Sequence, residues 1–293
     1  MAIAPVTNPS IWRAALWMMG TLMSFVLMAI AIRELHTAGI NTFEMLAMRS
    51  IIGLTIVLLV AWKFGWHLIR TQQLKLQIGR NIVHFGGQST WMYGLSLLPL
   101  AKVFAIEFTI PIWVAILAVL FLGERMTLGR LIAISFGFAG ILLIAPPGPD
   151  ILHSGALVVL AAAFFFGSAI TCTKKLVTTD APLAVLFFMC LVQLPMGLIP
   201  ALFVWVTPQG IEWIYLLIVG LTGLSAHYCE AHAFRHADAT IVIPIQFMRL
   251  PLIAVVGFYL YQEALEWSVF VGALLIFGGN YYNIRQEMRR TNS

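Results

Sequence analysis

A chain of 293 residues that is 61% hydrophobic and only 10% charged is not an ordinary soluble domain, which is about 45–50% apolar and about 25% charged. Disorder is excluded by the same figures, because its signature is low hydrophobicity and high charge. The net charge of +5 would point to nucleic acid in a soluble protein, but here the basic residues punctuate apolar runs and read as membrane topology, so no nucleic-acid partner is expected.

A membrane-spanning helix needs about 20 mostly apolar residues to cross a hydrocarbon core of roughly 30 Å. In chain order the apolar runs lie at about 12–32, 43–62, 79–99, 101–122, 128–146, 152–173, 182–205, 211–232, 237–261 and 267–284. Two pairs nearly fuse, at Pro99–Leu100 and around His236–Asp238. Each fused run would be too long for one span and carries turn or charge punctuation, so ten helices are predicted. The first run is too long for a signal h-region and leads into more membrane, so no cleavable signal is expected. Strands are not the alternative: Val114 to Leu122 and Leu157 to Phe166 are continuously apolar, whereas barrel strands alternate. Only helices satisfy their own backbone over such stretches. Cys172, Cys190 and Cys229 fall within apolar runs and form neither a disulfide framework nor a metal-ligand spacing.

Charge placement gives the orientation. With both termini cytoplasmic, the cytoplasmic segments hold Arg13, Lys63, Arg70, Lys75, Arg80, Arg125, Arg130, Lys174, Lys175, Arg235, Arg285, Arg289 and Arg290. The other face keeps only Arg33 and Lys102, while Arg49 and Arg249 fall inside helices. Cytoplasmic enrichment of Lys and Arg is the expected signal for an inner-membrane protein.

The two halves repeat. With Glu124 set against Glu263, PIWVAILAVLFLGERMTLGRLIAISFGFAG from Pro111 parallels PLIAVVGFYLYQEALEWSVFVGALLIFGG from Pro251. A proline opens each stretch, a glutamate ends the helix, and a helix rich in small residues follows. Two five-helix repeats, 1–148 and 149–293, must insert in opposite orientations because five is odd. Inverted repeats around a midplane site are a transporter architecture. The small residues Gly137, Ala139, Gly140, Gly272, Gly278 and Gly279 let helices approach closely, at a repeat or dimer interface.

Three stretches carry a resemblance: FEMLAMRS (43–50), WMYGLSLLPLAKVFAIEFTIPIWVAILAVLFLGERMTLGR (91–130) and ADATIVIPIQFMRLPLIAVVGFYLYQE (237–263). In these the chain resembles the drug/metabolite transporter superfamily, specifically its EamA-type members, over nearly its whole length. The resemblance implies a ten-helix fold with both termini inside and a central cavity lined mainly by helices 1, 3, 4, 6, 8 and 9. Members of similar layout import S-adenosylmethionine or riboflavin, and others export drugs. Gln262 departs from the family, which often carries glycine before the glutamate, and this speaks against a tight turn there.

Ionisable groups inside spans are costly, at about 2.5–3.5 kcal/mol for Arg, Lys or Asp at a helix centre, and so mark partners or wet cavities. Arg249 lies between Pro244 and Pro251, with Gln246 on the same helical face. A guanidinium there suits a substrate carboxylate or phosphate, or a structural partner. Glu107, four residues before Pro111, suits a substrate ammonium, a proton, or a lasting ion pair with Arg49, Lys102 or Arg249. His84, Gln88 and Trp91 form a polar-aromatic stripe on helix 3, with Tyr93 close by. They read as substrate-binding residues or as a helix–helix seam. His227 and Glu230, with Glu107, are candidates for a proton relay. Arg49, Pro111, Glu124, Pro244, Pro251 and Glu263 read as structural or gating residues. His232 and His236 have the spacing of a shared metal pair but lack a clear third ligand, so neither a metal nor a cofactor is expected.

No phosphate-binding loop, nucleophile elbow or dinucleotide fingerprint occurs in the sequence. The expected activity is secondary transport of a zwitterionic or anionic organic metabolite, not enzymatic catalysis, by a monomer or homodimer in the bilayer that uses a proton or other coupling gradient. Export of drugs or aromatic metabolites is the alternative, and an intramembrane metal-dependent enzyme is the other class. Green fluorescent protein fused to either end is expected to fluoresce, and alkaline phosphatase fused to either end to be inactive. Activity of either phosphatase fusion would overturn the orientation.

Overall fold

The computed structural model describes residues 11–122, 126–146, 155–176, 179–236 and 245–291. Eleven α-helices and one 3-10 turn, with no strand, occur among them. In chain order they are α1 Ile11–Thr37, α2 Thr42–Phe64, the 3-10 turn Trp66–Ile69, α3 Leu74–Leu97, α4 Leu100–Glu107, α5 Ile110–Leu122 and α6 Leu128–Ile144. There follow α7 Gly155–Leu176, α8 Pro182–Phe203, α9 Glu212–His236, α10 Arg249–Tyr261 and α11 Trp267–Thr291. α4 and α5 are two pieces of one span, so the eleven helices make the ten expected spans of an all-α membrane fold. Five segments are long and apolar enough to cross a bilayer on those grounds alone: Trp12–Thr37, Thr42–Phe64, Leu100–Leu117, Gly155–Thr173 and Pro182–Phe203.

The chain forms two compact units, and each mixes helices from both sequence repeats. The first comprises Met1–Val26, Leu97–Leu160 and Ser225–Ser293. It holds α4, α5, α6, α10 and α11, with the starts of α1 and α7 and the end of α9. Its main seam is α6 against α11, built on glycine. A Cβ on Gly140 would lie 2.5 Å from the Gly272 carbonyl oxygen, and one on Gly272 would lie 2.6 Å from that of Gly140. A Cβ on Gly279 would lie 3.0 Å from the Ala133 Cα, and Gly137 leaves room for Ile112, whereas Gly278 meets nothing nearby. The small-residue pattern is thus a seam between the two repeats.

α10 ends in a left-handed turn after all. Gln262 takes φ 55° and its neighbour Glu263 donates its N–H to the Gly257 carbonyl at 3.0 Å. The departure from glycine therefore does not remove the turn; glutamine adopts it at a strain of about 1–3 kcal/mol. What holds it is the carboxylate of Glu263, which accepts the backbone N–H of Leu100 at 2.7 Å. A negative group there suits the positive start of α4. Glu266, in the same loop, pairs with Lys102 at 2.8 Å.

The second unit comprises Leu27–Ser96 and Ala161–Leu224. α2 packs on α8, where a Cβ on Gly197 would lie 2.9 Å from the Ala47 amide nitrogen. Asn41 opens α2 by accepting the Phe43 N–H. Arg80, grouped above with the cytoplasmic cations, is buried one turn and a half inside α3. Asp180, in the turn between α7 and α8, ties the unit at one edge. Its carboxylate accepts from the Thr71 hydroxyl, from the Gln72 N–H at 3.1 Å, from Gln77 at 2.8 Å and from Thr179 at 3.1 Å.

Burial pushes the Asp180 carboxyl up, but these hydrogen bonds outweigh it and hold it below the usual range. A carboxylate held low stabilises the fold fully above its unfolded value, about 3.9, and loses that contribution as pH falls through the lowered value. The melting temperature of the wild type is therefore expected to fall below about pH 4. Asp180→Asn is expected to melt lower at pH 7 and to show a flatter acid limb. An acid limb identical in both proteins would refute the role.

Candidate functional site

The first unit holds two of the intramembrane charges singled out above, Glu107 and Arg249, while Arg49 lies in the second. Pro111 lacks an N–H to give to the Glu107 carbonyl four residues back, so the helix ends at Glu107 and restarts at Ile110. The restart is tight: the Ile112 N–H goes to the Thr109 carbonyl at 2.9 Å, which strands the carbonyl of Phe108. Asn280 of α11 takes it with its side-chain amide at 3.1 Å. The other repeat breaks in the same way. Pro251 has no N–H for the Phe247 carbonyl, and a turn at Met248 precedes α10. Each break presents one charge, Glu107 in the first repeat and Arg249 in the second.

The two charges meet. Arg249 Nη2 donates to Glu107 Oε1 at 2.9 Å, and each side chain is about 10% exposed. Three phenyl rings surround the guanidinium carbon, with centroids at 4.4 Å (Phe25), 4.8 Å (Phe104) and 5.4 Å (Phe108), all within cation–π range. Phe108 stacks on Phe247 at 4.1 Å, and Phe247 lies against Phe277 at 4.3 Å. Arg249 Nε is buried with no protein acceptor. The guanidinium therefore keeps donor capacity beyond its bond to Glu107.

A second polar group lies one helical turn away. Gln246 donates to Glu230 of α9, and His227 Nδ1 lies 3.9 Å from the other oxygen of that carboxylate. Trp17, Tyr228 and His232 form an aromatic cluster, with Trp17 stacked on His232 at 4.6 Å. His232 is thus engaged with rings, and no group of three or more His, Cys, Asp or Glu residues is placed to hold a metal among the described residues.

The helix 3 candidates belong to the second unit. His84, Gln88 and Trp91 share a buried face of α3, while Tyr93 is half exposed on another. Gln193 of α8 donates to His84 Nδ1 at 3.0 Å and to the Asn81 carbonyl at 3.2 Å, and Phe166 meets the imidazole edge-on. Gln88 keeps a buried side-chain oxygen without a partner. Arg49 of α2 is buried. Glu124 and Pro244 lie outside the described residues. The rings around Arg249 escaped the sequence reading. Phe104 and Phe108 flank Glu107 at helical spacing, a usable signal, but nothing in the sequence pairs Phe25 with Arg249.

Comparisons with known proteins agree with this architecture. The EamA-like transporter family matches the chain twice, over residues 12–145 and 153–285. An S-adenosylmethionine uptake transporter of Rickettsia felis is 26% identical over 250 residues, covering 85% of each chain. A riboflavin transporter of Brucella anthropi is 29% identical, covering 85% of this chain and 90% of its own. A pseudopaline exporter of Pseudomonas aeruginosa is 25% identical, covering 86% and 89%. A crystal structure 17% identical in sequence superposes with a TM-score of 0.65 over 92% of this chain and 94% of its own, which is a likeness of fold.

Removing one member of a buried ion pair costs about 3–5 kcal/mol, because the other is left uncompensated, whereas replacing both with apolar groups is often neutral. Arg249→Met and Glu107→Met are each expected to melt well below the wild type, and the double variant to recover most of the loss. Additive losses in the double variant would show that the two side chains do not act as a pair.

Proposed function

We propose that this chain, which belongs to the EamA-like transporter family, carries a zwitterionic or anionic organic metabolite across the bacterial inner membrane by alternating access, with Arg249 as the anchor for the substrate carboxylate. Transport of a small metabolite by a drug/metabolite-type membrane protein is the common ground of its relatives. The observation that carries the finer reading is the Arg249–Glu107 pair, set at the two helix breaks and ringed by phenylalanines.

An arginine held by an internal carboxylate is a pre-formed carboxylate site. A substrate carboxylate that displaces Glu107 replaces one charge-assisted bond with another, so exchange costs far less than stripping the pair bare. Glu107, once displaced, is free to accept the ammonium of the same substrate or a proton. The rings then offer flat apolar surface to the remainder of the molecule, and a cation on it would be attracted to their faces. S-adenosylmethionine, the cargo named for the Rickettsia relatives, carries the carboxylate, ammonium and second cation that such a site fits.

Glu230, bonded to Gln246 and near His227, is the natural waypoint for a coupling proton on the same unit. His84, Gln88 and Trp91 of α3 are candidate substrate contacts within the second unit. Both termini are assigned to the cytoplasm. The pseudopaline exporter among the relatives favours a second reading, outward transport of the same class of solute through the same site.

The test is a thermal-shift screen of amino acids, S-adenosylmethionine, riboflavin and nucleosides on the purified protein, followed by uptake and counterflow of the hit in liposomes. Arg249→Ala is expected to abolish the shift and reduce transport by at least about 100-fold, since a lost charge-assisted contact of about 3 kcal/mol corresponds to that factor. Glu107→Ala is expected to impair transport of zwitterions more than that of simple carboxylates. Normal transport by both variants would remove the site assignment.

A further inference from the structure

Among the described residues, the second unit contains a buried cation with no carboxylate beside it. Arg49 of α2 is 8% exposed, and no carboxylate among the described residues comes within ion-pair distance of it. The carboxylates of that unit whose contacts are described are engaged elsewhere: Glu44 accepts from the Val206 N–H at 3.2 Å, Glu212 from the Gln209 N–H at 2.6 Å, and Asp180 in the turn before α8. The other buried guanidinium of the unit, Arg80, adds charge of the same sign. Its hydrogen bonds go only to neutral groups, Thr173 at 3.1 Å and Asn81 at 2.6 Å.

Arg49 lines a small cavity together with Met189, Cys190, Gln193 and Leu224, closed by Gly53 and Gly220. The cavity has room for about one particle of water size. The guanidinium packs against Gly223, where a Cβ would lie 2.5 Å from Arg49 Nε. Gln193 cannot supply the missing charge, and its amide N–H groups are already committed to His84 and Asn81.

A guanidinium does not deprotonate to escape burial. A single water can accept a hydrogen bond from it but leaves the charge uncompensated in a low-dielectric surround, where an unpaired ion is strongly unfavourable. An organic anion does not fit the space. We propose that the cavity in front of Arg49 binds a small monovalent inorganic anion of halide size, the resident counter-ion of this unit. This site is separate in the sequence and in the fold from the Arg249 centre, and it stands whether or not Arg249 binds the transported solute.

The test uses the full chain purified in detergent in sodium gluconate and titrated with sodium chloride or bromide at constant ionic strength. The wild type is expected to show a saturable rise in melting temperature of about 2–4 °C with either halide. Arg49→Met is expected to lose that response while melting no lower than the wild type in gluconate. Gly223→Ala, whose Cβ displaces the guanidinium from its present position, is expected to raise the half-saturating halide concentration several-fold. Independently of any variant, crystals of the wild type grown in bromide are expected to show an anomalous peak beside Arg49. A wild-type melting temperature indifferent to halide, a full halide response in Arg49→Met, or bromide found only at surface positions would each overturn the site.

Discussion

Hydrocarbon supplies no hydrogen bonds and no counter-charge, so an ionised side chain inside it must bring its own compensation. The pairing of Arg249 with Glu107 meets that demand in the first unit, and much of the surrounding structure follows from it. The two residues come from different repeats, more than a hundred positions apart in sequence. For them to meet, two spans must break at matching depths, and the proline near each break supplies the missing N–H that allows it. Asn280 then takes the carbonyl stranded at Phe108, and rings from three places in the chain close over the guanidinium. An ion pair so enclosed contributes little net stability against an apolar alternative.

The same constraint separates the two units. Each contains buried arginine, but only the first answers it with a carboxylate. In the second, Arg80 leans on neutral oxygens and Arg49 faces a cavity the size of one small particle. Each compact unit also draws helices from both repeats, the first through the glycine seam of α6 on α11 and the second through α2 on α8.

Much of the fold was legible because membrane helices advertise themselves by length and apolar content. The ten spans, the absence of strands and the inverted repeat all came from run lengths, proline positions and the spacing of Glu124 and Glu263. The break between α4 and α5 was signalled by Pro111, although the span reads as one continuous apolar run. Boundaries were less accessible: α1 runs to Thr37 and α11 to Thr291, beyond the apolar stretches, because amphipathic ends continue a helix into the interface. Within the site, charges could be nominated individually by their rarity in apolar sequence. Which charge meets which is a matter of tertiary packing, and three partners were conceivable for Glu107. The enclosure of Arg249 by Phe25 was invisible, since one phenylalanine among 20 carries no mark of its neighbour. The burial of Arg80 was likewise invisible, since a cation at the edge of an apolar run carries no sign of what packs over it.

In the proposed site a substrate carboxylate takes the place of Glu107 on Arg249. The most direct measurement is a structure of the protein with the transported metabolite bound. The account predicts a ligand carboxylate within hydrogen-bonding distance of the Arg249 guanidinium, with the Glu107 side chain swung away from it. A ligand bound elsewhere, beside an Arg249–Glu107 bond left intact, would contradict it.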